Sequence, residues 1–76
     1  MHPQEVVPGH RYSNGRLGKA WSVREVVGVG SSGQLGRVDY RVVAGEGAGQ
    51  VGQETYEAFR QWARFEVRLG NGRWVK

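Results

Sequence analysis

The stretch of residues 20–29 constrains the fold more than any other part of the chain. It contains a tryptophan and the longest run of residues that favour β-strands, and such residues fit a pleated, half-buried surface. Strict alternation would split its apolar side chains between two faces, so we expect a β-bulge near Arg24 and Glu25 to reunite them and leave Val27 outward. The side chains that would then share the core side are Trp21, Val23 and Val26.

Two further segments have the two-residue period of strands. Residues 10–12 form a short first strand after the turn signal Pro8-Gly9. Along residues 37–44, valines and a tyrosine alternate with charged residues, which predicts one buried face and one exposed face. The glycine-rich residues 45–50 that follow predict a flexible loop.

The last part of the chain predicts a β-hairpin. Asn71 and Gly72 form a strong two-residue turn signal, and apolar residues alternate with charged ones before it. The residues that we expect to face inward are Phe65, Val67 and Leu69. Counting back across the turn predicts two cross-strand pairs, Leu69 with Trp74 and Arg68 with Val75.

Between these strands, residues 55–63 have the period of a helix. Phe59, Trp62 and Ala63 share one helical face, and charged residues occupy the other. Thr55 is suited to cap the N-terminus because its hydroxyl can accept a hydrogen bond from the backbone. A helix of about two turns is not stable alone, so we expect Phe59 and Trp62 to dock it against the sheet.

These elements predict a mainly β domain, a small, strongly bent antiparallel sheet or partly open barrel of about five strands with one short helix. The chain has 76 residues, near the size at which a single core only just offsets chain entropy. We expect one domain over residues 8–76, preceded by a flexible tail of residues 1–7. The predicted core consists of Trp21, Tyr40, Phe59, Trp62, Phe65 and Trp74.

The composition also bears on the compartment. The chain has no cysteine, which favours a reducing environment. No apolar run approaches the roughly 18 residues of a membrane span, and residues 1–5 lack the basic and apolar regions of a signal peptide. We therefore expect a cytoplasmic protein that does not act at a membrane.

The charge balance suggests an anionic partner. Lysine and arginine number 11 against 7 acidic residues, and arginine pairs well with phosphate. The candidate phosphate contacts are Arg37, Arg41, Arg64 and Arg68, and the aromatic residues expected to be exposed for base stacking are Tyr12 and Tyr56. The alternative is that Asp39 and Glu66 neutralise this stripe by cross-strand pairing.

The sequence offers no clear arrangement for catalysis or metal binding. The histidines His2 and His10 have no cysteine beside them, the carboxylates are scattered singly, and no serine has an obvious base partner. Residues 28–33 match the glycine spacing of a dinucleotide-binding fingerprint, but a loop and a strand are predicted where a helix would hold pyrophosphate. We therefore expect no enzymatic activity, no cofactor and no metal.

Several spaced residues resemble those of a known group of proteins. They are Pro8-Gly9, Tyr12, Trp21-Ser22-Val23, Val38-Asp39-Tyr40, Phe59 and Trp62. Their order is similar to that of short uncharacterised bacterial and prophage-associated proteins with SH3-like barrels, over most of residues 8–67. The resemblance implies an SH3-like fold without a settled activity. The plasmid-borne dihydrofolate reductase is also a small SH3-like barrel, but its Val-Gln-Ile-Tyr motif has no counterpart in residues 52–56, so its activity is not expected.

Two functions follow as expectations from these features. The first is a non-catalytic interaction module that holds a protein partner in a groove or along a sheet edge. The alternative is a basic nucleic-acid-binding barrel in which the four arginines contact phosphates.

Overall fold

The computed structural model describes residues 3, 5–32 and 35–76. These residues form six strands, one α-helix and one turn of 3-10 helix. The strands are β1 (Arg11–Ser13), β2 (Ser22–Ser32), β3 (Leu35–Gly45), β4 (Val51–Thr55), β5 (Phe65–Gly70) and β6 (Arg73–Val75). The α-helix, α1, is Tyr56–Trp62, and the 3-10 helix is Gly18–Ala20.

All six strands belong to one antiparallel sheet with the order β4-β3-β2-β1-β5-β6. The sheet is open, because β4 and β6 are its opposite edges and do not pair with each other in the described structure. The prediction of a mainly β fold with a partly open antiparallel sheet and one short helix is therefore confirmed. The number of strands is six, where the sequence predicted about five.

The additional strand is β4, which the sequence did not mark. Residues 51–55 show no apolar alternation, and Val51 is 76% exposed, so no side-chain period reveals the strand. Its backbone is held instead by pairing with β3 along its whole length. Gly52 permits this close approach, since a Cβ at that position would lie 2.6 Å from the hydroxyl oxygen of Tyr40.

The register between β2 and β3 shifts twice, and the first shift corrects the predicted bulge. The pairing does change next to Arg24, but the extra residue is Val43 on β3. Val23 and Val26 therefore lie on opposite faces of β2, and each is buried on its own side. The second shift leaves Val27 without an opposite residue, and its 63% exposure confirms that it faces outward.

The core forms where α1 packs on the sheet, with Phe59 at its centre. The Phe59 ring meets the edge of Tyr12 at a centroid distance of 5.9 Å and lies 5.5 Å from Trp62. The buried members of this cluster are Val6, Tyr12, Val26, Val38, Phe59 and Ala63. The residues packed against it are Tyr40, Tyr56 and Trp62.

Only part of the predicted aromatic core belongs to this cluster. Trp21, Phe65 and Trp74 are half-buried and lie outside it. Phe65 is opposite Ser13, on the face of the sheet away from Tyr12. The β5–β6 hairpin also continues past the end of β1, so Leu69, which was expected to face inward, is 58% exposed.

The predicted helix and hairpin are confirmed in detail. Thr55 is the N-cap of α1, and its hydroxyl oxygen accepts a hydrogen bond from the Ala58 amide at 3.1 Å. In the hairpin, the predicted pairs of β5 and β6 are both present. Asn71 and Gly72 form the turn with φ angles of 51° and 76°, as a two-residue hairpin turn requires.

Part of the segment that the sequence assigned to a tail is packed. Val6 is buried in the core, and its amide donates a hydrogen bond to the Tyr56 hydroxyl at 2.9 Å. The next amide, of Val7, donates to the Tyr12 hydroxyl at 2.9 Å. The tail prediction for residues 1, 2 and 4 lies outside the described residues.

Candidate functional site

The two tyrosines expected to stack on bases are held by the fold. Tyr12 is 1% exposed, and its hydroxyl donates a hydrogen bond to the Glu5 carbonyl in addition to accepting one from Val7. Burial raises the pKa of the Tyr12 hydroxyl above its ordinary value. Tyr56 is half-buried against the core, with its hydroxyl bound to the Val6 amide. The expectation that Tyr12 is exposed is wrong, because its ring packs with Val6 and Phe59 in the core and residues 5 and 7 bind its hydroxyl.

Two of the four predicted arginines are engaged with acidic neighbours. Arg41 donates to a Glu25 carboxylate oxygen at 2.8 Å, and the other oxygen of Glu25 accepts from Arg11. The Arg37 guanidinium lies 3.6 Å from the Asp39 carboxylate. The face of β3 that carries these arginines is thus close to neutral.

The four predicted arginines do not form a single stripe. Residues opposite each other on neighbouring strands share a face of the sheet. The row from Arg41 through Glu25 and Arg11 ends at Val67 on β5. Arg68 follows Val67 in β5 and Arg64 directly precedes the strand, so by alternation both side chains lie on the other face.

The unpaired positive charge is concentrated at the β6 end of the sheet. Of the 11 lysines and arginines, all of them described, six have no acidic partner within ion-pair distance. They are Arg16, Lys19, Arg64, Arg68, Arg73 and Lys76. We call this region, made of residues 14–20 and 64–76, the basic end. Its single acidic side chain, Glu66, contacts His10.

Four arginines of the basic end form a row. Gly70 is opposite Arg73, which places Arg73 on the same face as Arg64 and Arg68. Arg16 is close to Arg64, because a Cβ on the preceding Gly15 would lie 2.9 Å from the Arg64 Cβ. We call Arg16, Arg64, Arg68 and Arg73 the arginine row. Lys76 lies on the opposite face, with its ammonium 3.8 Å from the centre of the Phe65 ring.

A cavity of about 360 Å³ opens at one end of the arginine row. Arg16 and Arg64 line it together with polar side chains and one edge of the half-buried Trp62. The polar residues are Asn14 and Gln61. Asn14 is fixed there, since its amide group donates to the Ala20 carbonyl at 2.8 Å and its oxygen accepts from the Arg16 amide. The cavity therefore combines two unpaired guanidinium groups with a rigid polar wall.

Arg24 lines a second cavity, of about 350 Å³, on the other side of Trp62. Its guanidinium carbon lies 3.9 Å from the centre of the Trp62 ring and 4.2 Å from that of Tyr40. Its Nη1 donates to Glu54 at 3.3 Å, while Nε is buried without a hydrogen-bond partner in the described structure. The charge of Arg24 thus stabilises the aromatic packing, and Trp62 has one side covered by Arg24 and another by Phe59.

The described residues carry neither a metal-ligand cluster nor a membrane-spanning helix. No three histidine, aspartate or glutamate side chains among them group as metal ligands. The glycine fingerprint falls on β2 through residue 32, and its last glycine lies outside the described residues, with β3 following it. In the described part of the chain, α1 is the one α-helix, and no helix has the length and apolar character to cross a membrane.

Comparison with known proteins finds no matching family model, and no curated protein or solved structure that matches significantly. The resemblance to SH3-like bacterial and prophage-associated proteins therefore stays a prediction.

Proposed function

We propose that the chain is a non-catalytic nucleic-acid-binding module whose basic end contacts phosphate groups. The observation that supports this proposal is the separation of charge: acidic side chains pair with the arginines of β1, β2 and β3, whereas no arginine of the row has a carboxylate within ion-pair distance. Glu66, which lies between Arg64 and Arg68 on the same face, contacts His10 instead. Phosphate is the partner that such a row suits, because guanidinium groups bind it bidentately and remain charged at all physiological pH values.

The packing of the aromatic rings suggests how selective this binding is. Tyr12 is buried, Tyr56 packs on the core, and Trp62 is covered by Arg24 and Phe59. Held in these ways, the three rings are not presented as a stacking platform for bases. We therefore expect contacts to the sugar-phosphate backbone, with little preference for base sequence. We propose the cytoplasm as the compartment, because nucleic acid is available there.

The proposal is tested by titrating labelled single- and double-stranded oligonucleotides with the protein at several salt concentrations. Each phosphate contact releases counterions and contributes about 0.7–0.9 to the slope of log affinity against log salt. Four contacts from the arginine row therefore predict a slope of about −3. The variants Arg64→Ala and Arg68→Ala should each weaken binding and make the slope shallower by nearly one unit.

The matched controls are Arg37→Ala and Arg41→Ala, which remove arginines that already have acidic partners. These variants should bind as the wild type does, with an unchanged slope. The proposal fails if the wild-type protein binds no more tightly than about 100 µM at low salt. It also fails if the control variants reduce binding as much as the row variants do.

A protein partner is the second candidate, and it is favoured by exposed valines on the other half of the sheet. Val27 and Val51 border a shallow groove of about 250 Å³ against Tyr40 and Gly52. Apolar contact is insensitive to salt, so a protein captured by cross-linking should remain bound at about 1 M salt, where the Debye length is about 3 Å. A partner that dissociates at that salt concentration would instead belong to the basic end.

A further inference from the structure

The outer edge of β2 is unpaired beyond Val26. β1 pairs with β2 only at residues 23–25, and the turn before β1 adds two bonds, from Gly9 to the Val26 carbonyl and from the Val26 amide to His10. Past this point, no backbone hydrogen bond joins the outer side of β2 to another segment of the described chain. The second half of β2 is thus an open edge, although β2 lies in the middle of the strand order.

The backbone groups on this edge can be assigned from the register. The Val42 amide donates to Gln50 on the β4 side, so alternate residues of β3 point to β4 and the others to β2. Asp39 and Arg37 are among those that point to β2, and they are opposite Gly28 and Gly30. The residues between and after these glycines, Val29 and Ser31, therefore direct their amides and carbonyls outward, where they have no backbone partner in the described structure.

The side chains near this edge do nothing to block another strand. Exposed edges are usually protected by lysine, proline or inward-pointing charges. Residues 26–30 carry no charge and no proline, and nothing lies within 4 Å of where a Cβ on Gly28 or Gly30 would be. Val29 is 38% exposed and Val27 more so, which leaves apolar surface beside the open backbone groups.

We propose that this edge of β2 pairs with the same edge of a second copy of the chain. With a two-fold axis at Gly30, Val29 of one copy is opposite Ser31 of the other, and the two Gly30 residues face each other. This antiparallel register joins all four outward groups of each copy in four hydrogen bonds. Glycine at the axis leaves no side chain between the strands at their closest approach.

The charge distribution supports a second copy as the occupant. A chain of net charge +4 would ordinarily repel its own kind, but the unpaired cations lie at the basic end. The charged residues opposite this stretch of the edge are Arg37 and Asp39, which lie beside each other. The edge meets its own symmetry-related copy without bringing unpaired like charges together. The pairing is independent of nucleic acid and would remain if the proposed function failed.

The direct test is amide hydrogen exchange of the full chain at increasing protein concentration, without nucleic acid, together with sedimentation equilibrium. Dimerisation through this edge predicts that exchange of the Val29 and Ser31 amides slows with concentration. The amides of Gly28 and Gly30, which face β3, should be unaffected. A protein that remains monomeric up to its solubility limit, or that protects other amides as it associates, overturns the proposal.

Two variants locate the association. Val29→Pro removes one outward amide per copy without removing a bond to β3, and should weaken dimerisation by at least about tenfold. Val29→Lys places a charge at the edge and should have a similar effect, whereas Val51→Lys on β4 is the matched control and should leave association unchanged. Circular dichroism of each variant checks whether the sheet is retained.

If Val51→Lys abolishes association and Val29→Lys does not, the copies meet through β4 and the proposal is wrong. Protection of Val29 and Ser31 that develops only after a different protein is added would identify another occupant and would also overturn it. A variant that loses its sheet signal is replaced in the comparison by Gly30→Lys, because nothing lies within 4 Å of a Cβ at that position and the two lysines would meet at the axis. If Gly30→Lys associates as the wild type does, the proposal is rejected.

Discussion

Arg41 and Arg68 are both exposed arginines in strands of the same sheet, yet their surroundings differ. Arg41 is opposite Glu25, which also binds Arg11, so a single carboxylate serves two guanidinium groups. Arg68 is opposite Val75 and has no acidic partner in the described structure. The comparison shows that the residue type alone does not make a binding surface. The neighbour on the adjacent strand decides whether the charge is available to a ligand.

The same two regions also differ in packing. β2 and β3 lie under α1, and the core there is built around Phe59. β5 and β6 extend past the end of β1, which leaves Leu69 exposed and Trp74 half-buried. The first region therefore carries most of the stability, and the second is free to carry charges that do not help folding.

The largest expected effect is on stability, and it differs between the well-packed core under α1 and the exposed β5–β6 hairpin. Phe59→Ala removes a fully buried ring and should cost about 3–5 kcal/mol, a large share of the stability of so small a domain. Trp74→Ala, on the exposed hairpin, should cost less than half as much. Thermal unfolding followed by circular dichroism measures both variants. Equal losses in the two would contradict the assignment of the core to the α1 side.

A smaller effect is expected at Arg24, the one arginine held between aromatic rings. Arg24→Ala removes the contacts to Tyr40 and Trp62 and leaves Glu54 without its partner, at a cost of about 1–3 kcal/mol. Arg24→Lys keeps the charge without the planar stacking and should lose part of that amount. Urea unfolding of these variants, with Arg64→Ala as the exposed control, checks the prediction. A loss no greater than that of the control would show that the stacking does not stabilise the fold.

The sequence predicted those parts of the fold that depend on nearby residues. The cap of α1 involves residues three positions apart, and the β5–β6 register follows from Asn71 and Gly72 directly between the strands. β4 escaped prediction because backbone pairing with a distant segment, and not its own side chains, makes it a strand. A helix cap or a two-residue turn is encoded within a few neighbouring residues. An edge strand depends instead on the distant segment with which it pairs.

The candidate site was predicted less well, for the same reason. The burial of Tyr12 and Tyr56 depends on Val6 and Val7, and the bond from Val6 to Tyr56 spans 50 positions in the chain. The neutralisation of Arg41 depends on the β2–β3 register, which shifts twice. Arg64 and Arg68 were identified from their alternation along β5. Arg16 and Arg73 join them only once the loop and the hairpin are folded.

The smallest expected effect is a difference in the free energy of unfolding between the Arg41→Ala and Arg68→Ala variants. Arg41→Ala removes an exposed ion pair, worth about 0–1 kcal/mol, while Arg68→Ala should leave stability unchanged or raise it slightly by reducing repulsion. The difference, measured by urea unfolding, should vanish at about 1 M salt, where charges are screened within about 3 Å.

A Glu25→Gln background provides the control for this pair. Because it removes the acidic partner, Arg41→Ala should retain there only the cost of lost packing, and the difference between the two backgrounds isolates the ion pair. Equal stabilities of Arg41→Ala and Arg68→Ala at low salt would show that Glu25 does not favour Arg41 over solvent. In that case both arginines would be available to an anionic ligand, and the paired face would have to join the basic end in the binding experiments.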